Sequence, residues 1–249
     1  MVQTKNGHVI NNETLRTLSV ALFMTACVPL SAATLCVNPG GTGGCFSTIQ
    51  HAVSHASAND TIEVAPGTYK EDVIIPKPLS LVGDNRQNTT SDAKGLPNGI
   101  YIDGINHPGL GNVVVSGFTV ENANFEGILV TNAFSVTLWN NRVINNNKSL
   151  NISAATCPGL PSFETAEGED CGEGIHRIAV YQSVVSDNVV EHNSGGILLS
   201  DETAATHDNL IATNRVNGNP FDCGITLASH PPASGDKPLG VFHNTISHN

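Results

Sequence analysis

The sequence predicts an all-β solenoid, a right-handed parallel β-helix closed at its N-terminal end by a short helix. Three observations predict it. Charged residues make up 13% of the chain and aromatics 5%, while Gly and Asn are plentiful; that mix suits short strands punctuated by turns and disfavours a helical bundle. A tripeptide recurs, as "FTV" (118), "NRV" (141), "NVV" (188), "NRV" (214) and "NTI" (244), each preceded by an apolar residue: Val115, Leu138, Val185, Ile211 and Val241. A second column opens each time on Gly–Ile, as "GIYI" (99), "GILV" (127), "GIHRI" (174), "GILL" (196) and "GITL" (224). Internal repetition on this scale is the mark of stacked coils, because no single unit can bury its apolar face alone.

The elements follow in chain order. Lys5 and Arg16 precede the apolar run Leu18–Leu30, and "SAA" at 31–33 is a small-residue cleavage site. Residues 1–33 therefore read as an export signal, too short to be a membrane span. Its removal takes away two cations and one anion and moves the formal charge from −11 to −12. So acidic a chain argues against nucleic acid and anionic lipid as partners. Export makes disulfides plausible for the five cysteines that remain. Cys36–Cys45 and Cys157–Cys171 are the local pairings, with Cys223 left over.

Residues 34–59 form the cap segment. Ser47 and Gln50 have capping-box spacing, and Ile49, Ala52, Val53 and Ala56 make an apolar stripe at helical period. Residues 60–249 carry the coils, with equivalent residues about 4.8 Å apart in successive turns. Asn141, Asn188, Asn214 and Asn244 are expected to stack as a ladder, since Asn tolerates left-handed turns and its amide can bond its neighbour. Gly127 to Asn141 and Gly174 to Asn188 are both 14 residues, so the extra length between those coils is one inserted loop, 147–173. Trp139 is expected to face outward. The chain ends inside a coil, at "NTISHN", which suggests a piece of a longer solenoid.

The stretch "STIQHAV…NDTIEVAPGTYKEDVIIPKPLSLVGDN" resembles the opening of the pectin-lyase-like superfamily, in particular NosD-like and right-handed β-helix-region proteins, and the later Asn-x-Val and Gly–Ile coils resemble them too. The resemblance covers about residues 45–249. It implies a parallel β-helix and a role with polysaccharide; it does not single out an activity, because one fold hosts many.

Three groups of residues are site candidates. Glu126 and Glu173 each stand directly before a Gly–Ile strand, so stacking brings them about 4.8 Å apart. Paired carboxylates raise one another's pKa or hold a cation. A gap of about 5 Å is also that of a retaining glycosidase pair. With Asp170 from the inserted loop they are the expected metal ligands, and Ca²⁺ the expected ion, because calcium takes six to eight oxygens. An acidic surface loop is the competing expectation. Arg177 and His176 are the catalytic candidates. Equal spacing puts Arg177 in the inward slot of Val130, Leu199 and Leu227, where a guanidinium is costly; a one-residue bulge is expected to turn it outward. In lyases of the superfamily an arginine beside calcium-binding carboxylates often serves as the base, and Arg177 beside Glu173 and Glu126 resembles that arrangement. The third group, Asp201, Glu202, His207 and His230, lies after the same edge of successive strands. It reads as a glycan- or cation-binding ridge, or more simply as solvated turns.

The resulting expectation is a secreted or periplasmic carbohydrate-active or carbohydrate-binding protein, acting on a uronate-containing polysaccharide by β-elimination or epimerisation if it turns substrate over. The alternative is a non-catalytic repeat scaffold. A metal-linked role of NosD type is a third expectation.

Overall fold

A computed structural model describes residues 32–147, 172–229 and 239–249. Residues 1–31, 148–171 and 230–238 lie outside the described residues, and with them most of the expected export signal and of the expected inserted loop. Asp170, His230 and the Cys157–Cys171 pairing therefore fall outside as well.

After an opening strand and the helix, the chain winds repeatedly through three sheets in the same order, and the strand pairs among the described residues are parallel. Among the described residues the first sheet has eight strands, from Thr34–Val37 to Thr245–Ser247. The second has six, from Gly67–Tyr69 to Arg215–Asn217. The third also has six: Val73–Ile75, Ile100–Asp103, Ile128–Thr131, Glu173–Ile178, Gly195–Ser200 and Ile225–Ala228. Parallel strands need crossovers, and here each crossover is the passage through the other two sheets. The core is the set of inward rows. Ile62, Leu81, Val115, Leu138, Val185 and Ile211 line the first sheet in register. Val120, Val143, Val190 and Val216 line the second. Ile100, Ile128, Ile175, Ile197 and Ile225 line the third, so the Gly–Ile column is a true structural row.

Glycine opens that row because the corner leaves no room for a side chain. A Cβ on Gly127 would stand 2.4 Å from Val143 Cγ1 and 2.5 Å from the carbonyl oxygen of Gly174. Residues 126 and 173, just before these corners, are thereby held close to one another.

Asparagine ladders fix the turns. Asn141 Nδ2 donates to Asn188 Oδ1, Asn188 Nδ2 to Asn214 Oδ1, and Asn214 Nδ2 to Asn249 Oδ1, at 3.1, 2.9 and 2.9 Å. Asn244 belongs to a different ladder, accepting from Asn209 Nδ2. In the same coil Ile246 pairs with Ile211 in the first sheet and Val241 with Thr206 in a two-stranded addition. The expected frame was thus displaced in the last coil. The reason is that Asn recurs at five-residue steps: Asn146, Asn193 and Asn219 form a third ladder. One asparagine therefore resembles the next in an alignment by eye.

The cap helix is Ile49–His55, with Ile49, Ala52 and Val53 buried. Its N-cap is Thr48, whose side chain accepts from the N–H of His51, rather than Ser47. The expected capping box is absent because Gln50 does other work: it receives the Ile74 N–H and donates to the Ile74 carbonyl, tying the helix to the exposed edge of the third sheet. Glu71 takes the free N–H groups of Ile49 and Gln50 at 2.8 and 2.7 Å. Cys36–Cys45 is a disulfide, Cys223 is free and exposed, and Trp139 faces outward.

Candidate functional site

The site sits on the outer side of the third sheet. Strand alternation decides which residues reach it. Ile175 points into the core, so His176 points out, in a row with Leu129 and Leu198. Ile178 pairs with Ser200, which also faces outward. Both His176 and Ser200 are nevertheless buried, as are Glu126, Glu173 and Glu202.

These five side chains form a connected chain. The Glu173 N–H donates to Glu126 Oε2 at 2.6 Å and fixes that carboxylate. Its other oxygen, Oε1, lies 2.8 Å from His176 Nδ1. Glu173 Oε2 approaches the same nitrogen at 3.4 Å. On the far side of the ring, Nε2 lies 2.8 Å from Ser200 Oγ. Ser200 in turn donates to Glu202 Oε2 at 2.5 Å. A hydroxyl has one proton. With that proton on Glu202, Ser200 must accept from Nε2–H. Nδ1 faces the carboxylate oxygens of Glu126 and Glu173. The cluster is thus a relay, Glu126–His176–Ser200–Glu202, built on the outer faces of adjacent strands.

The expected metal pair Glu126 and Glu173 is brought together. One oxygen from each and a ring nitrogen of His176 all lie within 4.8 Å of one another. His176, expected as a base, is the third member of that group, with both nitrogens engaged. Arg177 departs from expectation. The strand runs without a bulge, pairing Val130, Arg177 and Leu199 in register. Arg177 is therefore inside the coil, fully buried, and cannot reach a substrate on the outer face. One bond holds it, from Nη2 to Asn209 Oδ1 at 2.9 Å, while Nε and Nη1 have no partner. Burial pulls its pKa down to about 9.

The ridge expected after Leu199 is resolved into separate roles. Asp201 and Glu202 are buried and are not a solvated turn. Asp201 Oδ2 accepts from Ser229 Oγ at 2.8 Å and from the Gly240 N–H, holding the end of one later strand and the start of the next. Glu202 joins the relay. His207 leaves it, stacked between Tyr181 and Phe242 with centroids 5.2 and 5.1 Å away. Ser200 was missed as a site residue. Its outward parity after Leu199 was available, but a serine at a strand end reads as turn chemistry.

Three parallel sheets around one core define a parallel β-helix protein. The chain belongs to the family described as a protein of unknown function, DUF1565, a right-handed β-helix family whose model matches residues 36–249. Among solved structures it is similar to pectin methylesterase from carrot, at 13% identity and a TM-score of 0.41, over 86% of this chain and 63% of that one. It is likewise similar to the Azotobacter vinelandii mannuronan C-5 epimerase A-module, at 13% identity and a TM-score of 0.40, over 80% of this chain and 61% of that one. The chain thus spans less than two thirds of either. No curated protein matches it in sequence.

Proposed function

We propose that this is a secreted or periplasmic β-helix protein that binds, and by its site chemistry processes, an acidic polysaccharide. The observation that carries the reading is the buried Glu126–His176–Ser200–Glu202 relay beside Glu173, on the outer face of strands paired on both sides. Structural histidines rarely need several carboxylates and a hydroxyl, and clustered titratable groups held on a rigid sheet are the usual mark of a functional site. The Cys36–Cys45 disulfide suits an oxidising compartment.

A uronate carboxylate would be repelled by Glu126 and Glu173 unless a cation stands between, so substrate class and cation go together in this reading. Calcium, with Asp170 as a further ligand, is the ion expected from the sequence. The described donors fit it poorly, because an imidazole nitrogen occupies the centre of the set and calcium prefers oxygen throughout. β-Elimination or epimerisation requires removal of the proton next to the uronate carboxylate. Arg177 is on the wrong side of the sheet to take it. His176 is on the right side, but must first release Glu126 or Ser200, since a general base needs a free lone pair. Asp201 and His207 serve as framework and stack, leaving Glu202 as the substrate-side acid.

The test is calorimetric titration of pectate and alginate oligosaccharides into the purified chain, with an ultraviolet assay for unsaturated product. Binding that Glu126→Gln weakens at least tenfold supports the site. Equal binding by the variant removes it, and no binding of any acidic glycan returns the protein to the scaffold reading.

A further inference from the structure

We propose that Glu126, Glu173 and His176 form a mixed nitrogen–oxygen site for a first-row transition-metal dication rather than for calcium. This rests on the reading that Glu126 and Glu173 hold a cation, and goes beyond it by naming the third ligand and the class of ion.

Three features carry it. The first is convergence. His176 Nδ1 is the atom that both carboxylates face, at 2.8 Å from Glu126 Oε1 and 3.4 Å from Glu173 Oε2. Two donors each about 2.1 Å from a zinc-sized ion stand roughly 3.0 Å apart at a right angle and about 3.4 Å apart at the tetrahedral angle. The observed separations bracket that range to within a few tenths of an ångström. Calcium, with ligands at about 2.3–2.6 Å and a preference for oxygen throughout, suits it less well. Imidazole with carboxylate suits Zn²⁺, Fe²⁺, Co²⁺ or Ni²⁺.

The second is orientation of the ring. A metal-binding histidine ordinarily donates its other N–H to a polar partner, which fixes the tautomer and aims the lone pair. Here Nε2 has Ser200 Oγ, and Ser200 is itself anchored on Glu202. Ser200 faces His176 because Ile178 and Ser200 pair in register. With the proton on Nε2, the Nδ1 lone pair is aimed at the side of the two carboxylates.

The third is preorganisation. Glu126 Oε2 is occupied by the Glu173 N–H, which leaves Oε1 as its ligand atom. The ligands come from adjacent coils whose corners are locked by Gly127 and Gly174, where a Cβ would collide with neighbouring backbone or side chains. Among the described residues, three protein ligands stand together on this rigid frame.

The experiment uses the full chain, untagged and stripped of metal with a chelator. Co²⁺, Zn²⁺ and Ca²⁺ are titrated separately by calorimetry, and Co²⁺ also by its visible absorption. The expected result is one tight site for Co²⁺ and Zn²⁺, at least about a hundredfold tighter than for Ca²⁺, with a cobalt band showing nitrogen ligation. His176→Asn should abolish the cobalt band and leave the weak Ca²⁺ binding unchanged. Ser200→Ala keeps all three ligands and should weaken Zn²⁺ about 10- to 100-fold; it covers the case in which His176→Asn fails to fold. Calcium bound more tightly than zinc, or zinc binding indifferent to both variants, overturns the nitrogen-ligand inference while leaving the cation reading in place. No binding of any of the three ions to the folded chain overturns both.

Discussion

Replacing Arg177 with leucine should make the protein more stable. The side chain lies fully inside the coil, in register with Val130 and Leu199, with one hydrogen bond and two nitrogens that have none. The drop of its pKa from the ordinary guanidinium range to about 9 corresponds to about 5 kcal/mol against the charged form, at about 1.4 kcal/mol for each tenfold change. Leucine suits the slot, since Leu199 fills it one coil later. The loss is the bond to Asn209 Oδ1, worth about 1–3 kcal/mol. That oxygen is not orphaned, because the Ser183 N–H also donates to it. The net gain should be about 2–4 kcal/mol, in the range seen when buried ionic groups are replaced by apolar ones. For a chain of this length that is roughly 4–16 °C in Tm.

The pH dependence gives a sharper check. The folded pKa is depressed, so below about 9 the guanidinium is protonated in both the folded and the unfolded chain and the penalty is full. Above about 9 the folded protein can release the proton while the unfolded chain still holds it, and the penalty shrinks. Thermal melts of both proteins should show a constant gap from pH 6 to about 8.5 that narrows steadily above 9. A leucine variant that melts below the parent, or a gap that does not change at high pH, refutes the reasoning. The same variant should bind acidic glycan as the parent does, because residue 177 faces the core.

Asp72→Asn should stabilise the protein at pH 7 and make no difference at pH 4, since burial raises the Asp72 pKa to about 6 and the charged form is the disfavoured one; its partial exposure limits the gain to about 1 kcal/mol, and denaturant melts at the two pH values check it. Asn188→Ala should cost at least about 2 kcal/mol, because it strands the N–H of Asn141 and breaks the ladder to Asn214; an unchanged melt would mean that the ladder is not structural. Gly117→Ala should abolish folding or lower Tm sharply, because φ is +78° there and a Cβ would stand 2.3 Å from the Gly83 carbonyl oxygen; soluble expression and circular dichroism decide it.

How far the sequence foretold the structure depends on whether a feature repeats. The Gly–Ile row was legible because each coil needs the same corner, and glycine at the corner plus isoleucine inside leaves the same trace each time. Glu126 and Glu173 were found through that row. The asparagine frame was legible in three coils and slipped in the last, where Asn244 and Asn249 stand five residues apart and either could begin the repeat. Arg177 was misplaced because cost alone argued for turning it outward, while the ladder of backbone hydrogen bonds on both sides argued for leaving the strand regular. Ser200 was invisible as a site residue because its role depends on a side chain 24 residues away.

The two anomalies of the Glu173–Ile178 strand have one cause. With Ile175 inside, a regular strand must put His176 outside, Arg177 inside and Ile178 outside. A bulge after His176 would free the guanidinium from the core. It would also break the pairing of Ile178 with Ser200, and that pairing sets the hydroxyl 2.8 Å from Nε2. The fold therefore keeps the strand regular and carries a buried, half-satisfied arginine, as strain is tolerated next to sites that need fixed geometry. On this argument Arg177→Leu removes the cost and leaves the site untouched, whereas an insertion of one residue between His176 and Ile178 should relieve Arg177 and destroy metal binding together.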